Sequence, residues 1–96
     1  MKVFLSQPMH GLTEEEVMVE RTRCLKWLQE KYGYVELIDN YHHNDAPEKA
    51  GRLWHLGRSI QMMGEADAVF FCCGWAGAKG CSIEYEIAVQ YGLKIL

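Results

Sequence analysis

The fold is decided by the stretch Ala66-Asp67-Ala68-Val69-Phe70-Phe71-Cys72-Cys73, in which an unbroken apolar run follows the aspartate. Such a run is typical of a central parallel strand covered on both faces, whereas a half-exposed strand alternates apolar and polar residues. We therefore predict a buried strand over residues 67–73. A glycine-containing loop, residues 74–79, comes next, and a helical pattern over residues 80–92 follows the loop directly.

The N-terminal part of the chain has the pattern of one short strand and one long helix. Residues 2–5 are rich in β-forming side chains, and Thr13 with Glu16 makes a capping box for a helix that begins there. This helix is expected to run to about Tyr32, since Gly33 then supplies a C-terminal stop. Its apolar stripe comprises Val17, Cys24, Leu25, Leu28 and Tyr32.

A second strand, a polar connection and a second helix precede the central strand. The strand is predicted over residues 34–38 and the connection over residues 39–47. The helix is expected to begin at Pro47, since proline is favoured at a first helical position, and to end at Gly64. Its apolar stripe comprises Leu53, Leu56, Ile60 and Met63.

The alternation of strands and helices predicts an α/β fold. A last strand over residues 93–96 gives about four strands separated by three helices, which implies one Rossmann-like (flavodoxin-like) domain over residues 1–96. We expect a parallel sheet in the order 2-1-3-4 with right-handed crossovers and helices on both faces. Because so short a chain buries a small core, a partner subunit would help to stabilise it, and we expect a homodimer.

Composition argues against several classes of function. The net charge of -3 gives no general attraction to a nucleic acid polymer or to an anionic membrane, and no apolar run suits a transmembrane helix or a signal peptide. We therefore expect a cytoplasmic protein whose four cysteines stay reduced and act as small buried hydrophobes. The adjacent His42 and His43 resemble a metal-binding tract in composition only, and no metal site is predicted.

Glu84 is the most informative residue, because a helical projection places it among apolar neighbours. At about 100° per residue it falls between Ala88 and Tyr91, in an arc that also holds Cys81. A carboxylate in the first turn of a helix, just beyond the carboxyl end of a buried strand, lies where open α/β sheets bind ligands. The helix dipole would stabilise its charge there. The simpler interpretation is a partly exposed glutamate that interrupts an apolar stripe.

Short motifs in a fixed order cover nearly the whole chain. They are Val3-Phe4-Leu5-Ser6-Gln7-Pro8-Met9-His10-Gly11, Ala66-Asp67-Ala68-Val69, Gly74-Trp75, Gly80-x-x-x-Glu84, and the continuation from Glu84 through Ala88 and Gly92 to Lys94. Together they resemble the nucleoside 2-deoxyribosyltransferase-like superfamily. Within it, the chain is most similar to small phage and bacterial proteins of unknown function.

The resemblance implies a nucleoside or nucleotide ligand and a glutamate nucleophile, Glu84, that attacks its C1′ atom. The protein would then be an N-glycosidase or an N-deoxyribosyltransferase that needs no metal and no organic cofactor. The loop of residues 6–11 would hold the sugar or phosphate, since it precedes a helix N-terminus, and Trp75 either stacks on the base or packs in the core. The predicted substrate-binding residues are Ser6, Gln7, Pro8, Met9, His10, Gly11, Gly74, Trp75, Gly80 and Cys81.

Three positions depart from the superfamily pattern. Ala78, Ser59 and Cys73 stand where the superfamily commonly has acidic or sugar-holding groups. Without a substitute acid, the protein would be a non-catalytic nucleotide-binding or sensing module of the same fold, or an interaction protein with a vestigial pocket. The groups that could substitute are Glu86, Asp39, Asp45 and a residue of a neighbouring subunit.

Overall fold

The computed structural model describes residues 1–96 and shows strands and helices in alternating order. Three strands form one parallel sheet in the order β2-β1-β3, so the predicted α/β class and parallel sheet are confirmed. The elements are β1 (Lys2–Ser6), α1 (Glu14–Tyr32), β2 (Glu36–Leu37), α2 (Arg52–Met63), β3 (Ala68–Phe71) and α3 (Lys79–Gln90), with a 3₁₀ turn (Trp75–Gly77) before α3.

The central strand of the sheet is β1, which pairs with β2 on one side and with β3 on the other. Beyond β3 the sheet gains one parallel bridge, in which the Val69 N–H donates to Lys94 O at 2.8 Å and the Leu96 N–H donates to Val69 O at 2.9 Å. The predicted fourth strand is therefore a single bridge in this structure. Gly92 follows the end of α3 with a φ of 67°, and Ile95 is the residue that comes into register with Val69.

Two apolar cores lie on opposite faces of the sheet, because successive side chains of a strand point to opposite faces. Val3 and Leu5 pack against Cys24 and Leu28 of α1. The other core comprises Phe4, Met62, Met63, Val69 and Ala88. Helix α1 therefore covers one face, and α2 and α3 cover the other.

Helix α1 begins and ends as its sequence predicts. The Glu16 N–H donates to Thr13 Oγ1 at 3.1 Å, and the Thr13 N–H donates to Glu16 Oε1 at 3.0 Å, which completes the capping box. Gly33 ends the helix with a φ of 84°, a conformation that favours glycine. No helix in the structure combines the length and the apolar character that crossing a lipid bilayer requires.

Several predicted boundaries are wrong. Helix α2 begins at Arg52 rather than Pro47, because the Ala50 N–H donates to Pro47 O at 3.0 Å in a turn and Gly51 is extended. Leu53 is consequently 83% exposed rather than part of a buried stripe. Strands β2 and β3 are also shorter than predicted, and the chain turns after Phe71, which leaves Cys73 exposed instead of buried.

Candidate functional site

The buried polar side chains of this protein gather at the carboxyl ends of the strands. Ser6 ends β1 and Gln7 follows it, while Asn40 comes shortly after β2; the other two, Arg21 and Glu84, extend from α1 and α3. Parallel strands end at one edge of a sheet, so these residues share that edge. Because burying a polar group costs free energy unless it is hydrogen-bonded, their concentration marks this edge as the candidate site.

A buried hydrogen bond joins Ser6 to Glu84. Alternation along β1 turns Ser6 toward the same face as Phe4, the face that α3 covers. The Ser6 hydroxyl donates to Glu84 Oε1 at 2.7 Å, and the Glu84 side chain is only 7% exposed. The other carboxylate oxygen, Oε2, has no hydrogen-bond partner in the protein and is not fully buried. One oxygen is thus held and the other is free to meet a ligand.

The helix projection of α3 is confirmed in part. Cys81, Glu84 and Ala88 form its buried face, whereas Tyr91 is 79% exposed. The position of Glu84 in the first turn is wrong, because α3 begins at Lys79 and Glu84 is in the second turn. The helix dipole acts within the first turn, so it gives this carboxylate little support.

Burial and a hydrogen bond act on the pKa of Glu84 in opposite directions. Removal from water raises the pKa of the Glu84 carboxyl above its ordinary value, and the hydrogen bond from Ser6 opposes this by lowering it. Burial likewise raises the pKa of the neighbouring Cys81 thiol, the Ser6 hydroxyl lowers it, and the charge of Glu84 raises it further. Ser6 therefore lowers the pKa of both Glu84 and Cys81.

The two predicted ligand loops meet at this edge. The Cys72 N–H donates to Ser6 O at 2.9 Å, which joins the ends of β3 and β1. A Cβ added to Gly74 would lie 3.9 Å from Pro8 Cγ, so the loop after β3 packs beside the loop after β1. Gly74 itself has a φ of 85°, which favours glycine at this turn.

The first loop places its residues in two environments. Gln7 is buried, with Nε2 donating to Val17 O at 2.9 Å and with Oε1 left without a partner. Pro8 and Met9 are half-buried, and the loop closes through a bond from the Leu12 N–H to Met9 O at 3.1 Å. His10 and Gly11 are exposed, so they lie on the outside of this loop.

Trp75 packs within the protein on at least one face. Its ring is stacked on Tyr85, with 4.4 Å between centroids and 27° between planes, and it contacts Phe71 at 5.4 Å. The indole is half-buried. Packing in an aromatic cluster is therefore its observed role, and stacking on a base stays a prediction.

The N-terminus of α1 has features that disfavour an anion, and the role of the first loop in holding a sugar or phosphate stays a prediction. Its capping box already occupies backbone N–H groups, and Glu14, Glu15 and Glu16 place three carboxylates in its first turn. Like charges repel an anion there. Helix α3 differs, because it has no side-chain cap and no acidic residue in its first turn, where exposed Lys79 and Gly80 lie.

Arg21 and Asn40 belong to the buried edge but were not predicted from the sequence. Arg21 Nη1 donates to Asn40 Oδ1 at 2.9 Å, Arg21 Nη2 donates to Ile38 O at 3.0 Å, and Asn40 Nδ2 donates to Leu5 O at 3.1 Å. The burial of Arg21 could have been predicted from the sequence, because Arg21 lies on the buried face of α1 between Val17 and Cys24. A helical projection of α1 would have found Arg21 as it found Glu84.

The groups proposed to substitute for the missing acids are exposed and engaged elsewhere. Gln90 Nε2 donates to Glu86 Oε1 at 2.7 Å, Asp39 contacts His42, and Asp45 contacts Arg58. Two surface concavities of the protein also lie elsewhere, one along α1 and one between Asp45 and α2. Enclosure of Glu84 by a ligand pocket therefore stays a prediction.

Comparison with known proteins identifies the family of this chain. Neither the curated proteins nor the solved structures contain a significant match. A family model described as a domain of unknown function, DUF4406, matches residues 1–96. Since the match covers the whole chain, the protein belongs to the DUF4406 family.

Proposed function

We propose that this protein binds a nucleoside or nucleotide at the carboxyl edge of its sheet and that Glu84 attacks C1′ of the sugar. The observation that carries the proposal is the buried hydrogen bond from Ser6 to Glu84 Oε1, which leaves Oε2 free. A nucleophilic carboxylate needs a fixed orientation and one unoccupied oxygen. The pair supplies both, at the edge where α/β sheets bind ligands.

The chemistry would follow the double displacement of retaining glycosidases. Oε2 of ionised Glu84 forms an ester bond to C1′ while the C1′–N bond breaks and its electron pair leaves with the base. Water then releases the sugar in a glycosidase, or a second base takes it in a transferase. The Ser6 hydroxyl favours the ionised carboxylate, against the effect of burial. Because Glu84 is the one acidic side chain among the buried residues, we expect the proton for the leaving base to come from solvent.

A phosphate on the ligand would find its best environment at the N-terminus of α3. That helix end has no side-chain cap and no acidic residue in its first turn, whereas α1 has three glutamates there. Backbone N–H groups at a helix N-terminus favour an anion. We therefore expect a nucleoside monophosphate to bind more tightly than the nucleoside, through the segment of Gly74 to Gly80 rather than through Gly11.

We also infer that the architecture is Rossmann-like with the strand order 2-1-3-4. The parallel bridge between Val69 and Ile95 supports this, since it puts the C-terminal segment in the fourth position, next to β3. We further propose a homodimer, which is supported by large apolar side chains that are mostly exposed: Tyr34, Leu53 and Tyr91. Sedimentation equilibrium of the full chain tests the dimer, and a monomer at all concentrations contradicts it.

A non-catalytic binding module is the second candidate function. The observation that favours it is that Glu84 is the one carboxylic side chain among the buried residues, so the second carboxyl group that glycoside hydrolysis uses is missing there. In that case Glu84 would contact the sugar without chemistry. The protein would then act as a nucleotide-responsive module.

Base release separates the two functions. The protein is incubated with the four deoxynucleosides and their 5′-monophosphates, and free base is measured by chromatography, with ligand binding measured by calorimetry. We expect release by the wild type, none by Glu84→Gln, and normal release by Glu86→Gln, a matched control because Glu86 is exposed on the same helix. Binding without release supports the module. Absence of both contradicts the proposed function.

A further inference from the structure

We propose that Glu20, Cys24 and Cys72 form a binding site for a soft divalent cation such as Zn²⁺. The three side chains each offer one donor atom, and these atoms all lie within 4.8 Å of one another. Cys24 Sγ lies 3.6 Å from Cys72 Sγ and 3.5 Å from Glu20 Oε1. This site is on the α1 side of the sheet and does not depend on the proposed function.

The distances between donor atoms suit one tetrahedral ion. Zinc binds sulfur at about 2.3 Å and carboxylate oxygen at about 2.1 Å, so tetrahedral ligands lie about 3.8 Å apart for two sulfurs and about 3.6 Å apart for sulfur and oxygen. The 3.6 Å between the two sulfurs and the 3.5 Å between Cys24 Sγ and Glu20 Oε1 are close to these spacings, and the donor atoms of Glu20 and Cys72 lie within 4.8 Å of each other. One ion could therefore reach all three donors after a small adjustment of their side chains.

The fold explains why these donors meet. Glu20 and Cys24 lie one turn apart on α1, and Cys72 directly follows β3, against which α1 packs. The two thiols are buried, but the Glu20 side chain is 30% exposed, which gives an ion a path from solvent. Three protein ligands leave a fourth position for water. A bound ion would link α1 to the end of β3.

The surrounding charges can balance the loaded site. Two thiolates, one carboxylate and a divalent ion sum to one negative charge, and the buried Arg21 guanidinium interacts electrostatically with both Cys24 and Cys72. Arg23 now binds Glu20 through Nη2 at 2.5 Å. That arginine is 66% exposed, and exposed ion pairs are weak, so an ion can compete for Glu20 Oε1.

Both cysteines can act as ligands although they are buried. A metal ion displaces the protons of its thiol ligands and stabilises the thiolates directly. The 3.6 Å between the two sulfurs puts both within reach of one ion.

The test uses the full chain, purified under reducing conditions. Zn²⁺ is titrated against a chromophoric chelator, and Co²⁺ is added separately to look for a thiolate-to-cobalt charge-transfer band. We expect one ion per chain and a thiolate band. Affinity should fall at least about 100-fold in Cys24→Ser and Cys72→Ser and about 10-fold in Glu20→Gln, because each removes a ligand. Cys73→Ser is the matched control, since Cys73 neighbours Cys72 but is exposed and outside the cluster.

Several results would overturn the proposal. One is that the protein binds less than one zinc ion per chain. Another is that the cobalt-loaded protein shows no thiolate-to-cobalt band. A third is that Glu20→Gln and Cys24→Ser bind zinc with the affinity of the wild type. Circular dichroism verifies the fold of each variant, and Glu20→Gln keeps the test decisive if a buried cysteine variant unfolds, because Glu20 is partly exposed.

Discussion

Arg21 on α1 and Glu84 on α3 each put a charge on the buried face of a helix, but the protein satisfies them differently. Arg21 donates to Asn40 and to Ile38 O, and Asn40 passes the link on to Leu5 O in β1. Glu84 accepts one bond, from Ser6, and keeps one oxygen without a partner. A buried charge tied into the backbone holds a structure together. A buried charge with an unused oxygen retains a capacity to react.

The largest expected effect is the loss of base release in Glu84→Gln. The amide keeps the size of the side chain but cannot form the ester to C1′, so the rate should fall about 10⁴-fold or more. The protein should remain folded, since glutamine can still accept a bond from Ser6. Single-turnover measurement of free base tests this. If Glu84→Gln released base at the wild-type rate, Glu84 would not be the nucleophile, and its role would be structural like that of Arg21.

The Arg21→Met variant is expected to lose stability and to keep its rate of base release. Methionine fills much of the space but leaves Asn40 Oδ1 and Ile38 O without donors, so the free energy of unfolding should fall by about 3 kcal/mol. Base release per folded molecule should stay within a few-fold of wild type. Urea denaturation measures the first quantity, with Arg23→Met as the control because Arg23 is exposed. A loss of activity without a loss of stability would show that Arg21 serves the ligand instead.

Local patterns in the sequence predicted the features that depend on neighbouring residues. The capping box of Thr13 and Glu16 and the glycine stop at Gly33 are determined within one helical turn, and both are confirmed. The burial of Glu84 could also be predicted, because it depends on the period of a single helix. The predicted start of α2 at Pro47 was wrong because a proline that suits a first helical turn also suits an isolated turn.

Contacts between distant segments could not be predicted in the same way. Asn40 meets Arg21 only because α1 packs beside the end of β2, and Trp75 meets Tyr85 only because a 3₁₀ turn folds the loop back onto α3. The acidic character of the α1 N-terminus, by contrast, was visible in the sequence. Glu14, Glu15 and Glu16 occupy the first turn, and their charge opposes the general preference of helix N-termini for anions.

A smaller effect is expected for Ser6→Ala, which removes the one bond that holds Glu84. Loss of a hydrogen bond to a charged group should lower the rate of base release about 10- to 100-fold. Since the Ser6 hydroxyl lowers the pKa of Glu84, its removal should also move the acid limb of the pH–rate profile to higher pH. Thr22→Ala is the control, because that exposed hydroxyl donates to Met18 O at 2.9 Å within α1 instead. An unshifted acid limb would argue against ionised Glu84 as the reactive form.

The smallest expected effect is on the pH dependence of the free energy of unfolding. Measuring it in variants of Glu84 and of Arg21 compares the two buried groups directly. Burial raises the pKa of Glu84 above its ordinary value of 4.5, so between that value and the raised pKa the folded chain holds a proton that the unfolded chain has lost. The free energy of unfolding therefore falls as pH rises through this window, and the stabilisation is complete only below pH 4.5. Arg21→Met should leave this slope in place, because Arg21 does not titrate in this range.

Glu84→Gln removes the titrating group and should therefore flatten the slope. Urea denaturation at a series of pH values gives the difference in free energy of unfolding between wild type and variant, in which the other titrating groups cancel. This difference should change with pH over the window in which base release by the wild type increases, because one ionisation governs both. Parallel stability curves combined with a steep pH–rate profile would assign the reactive ionisation to a group other than Glu84.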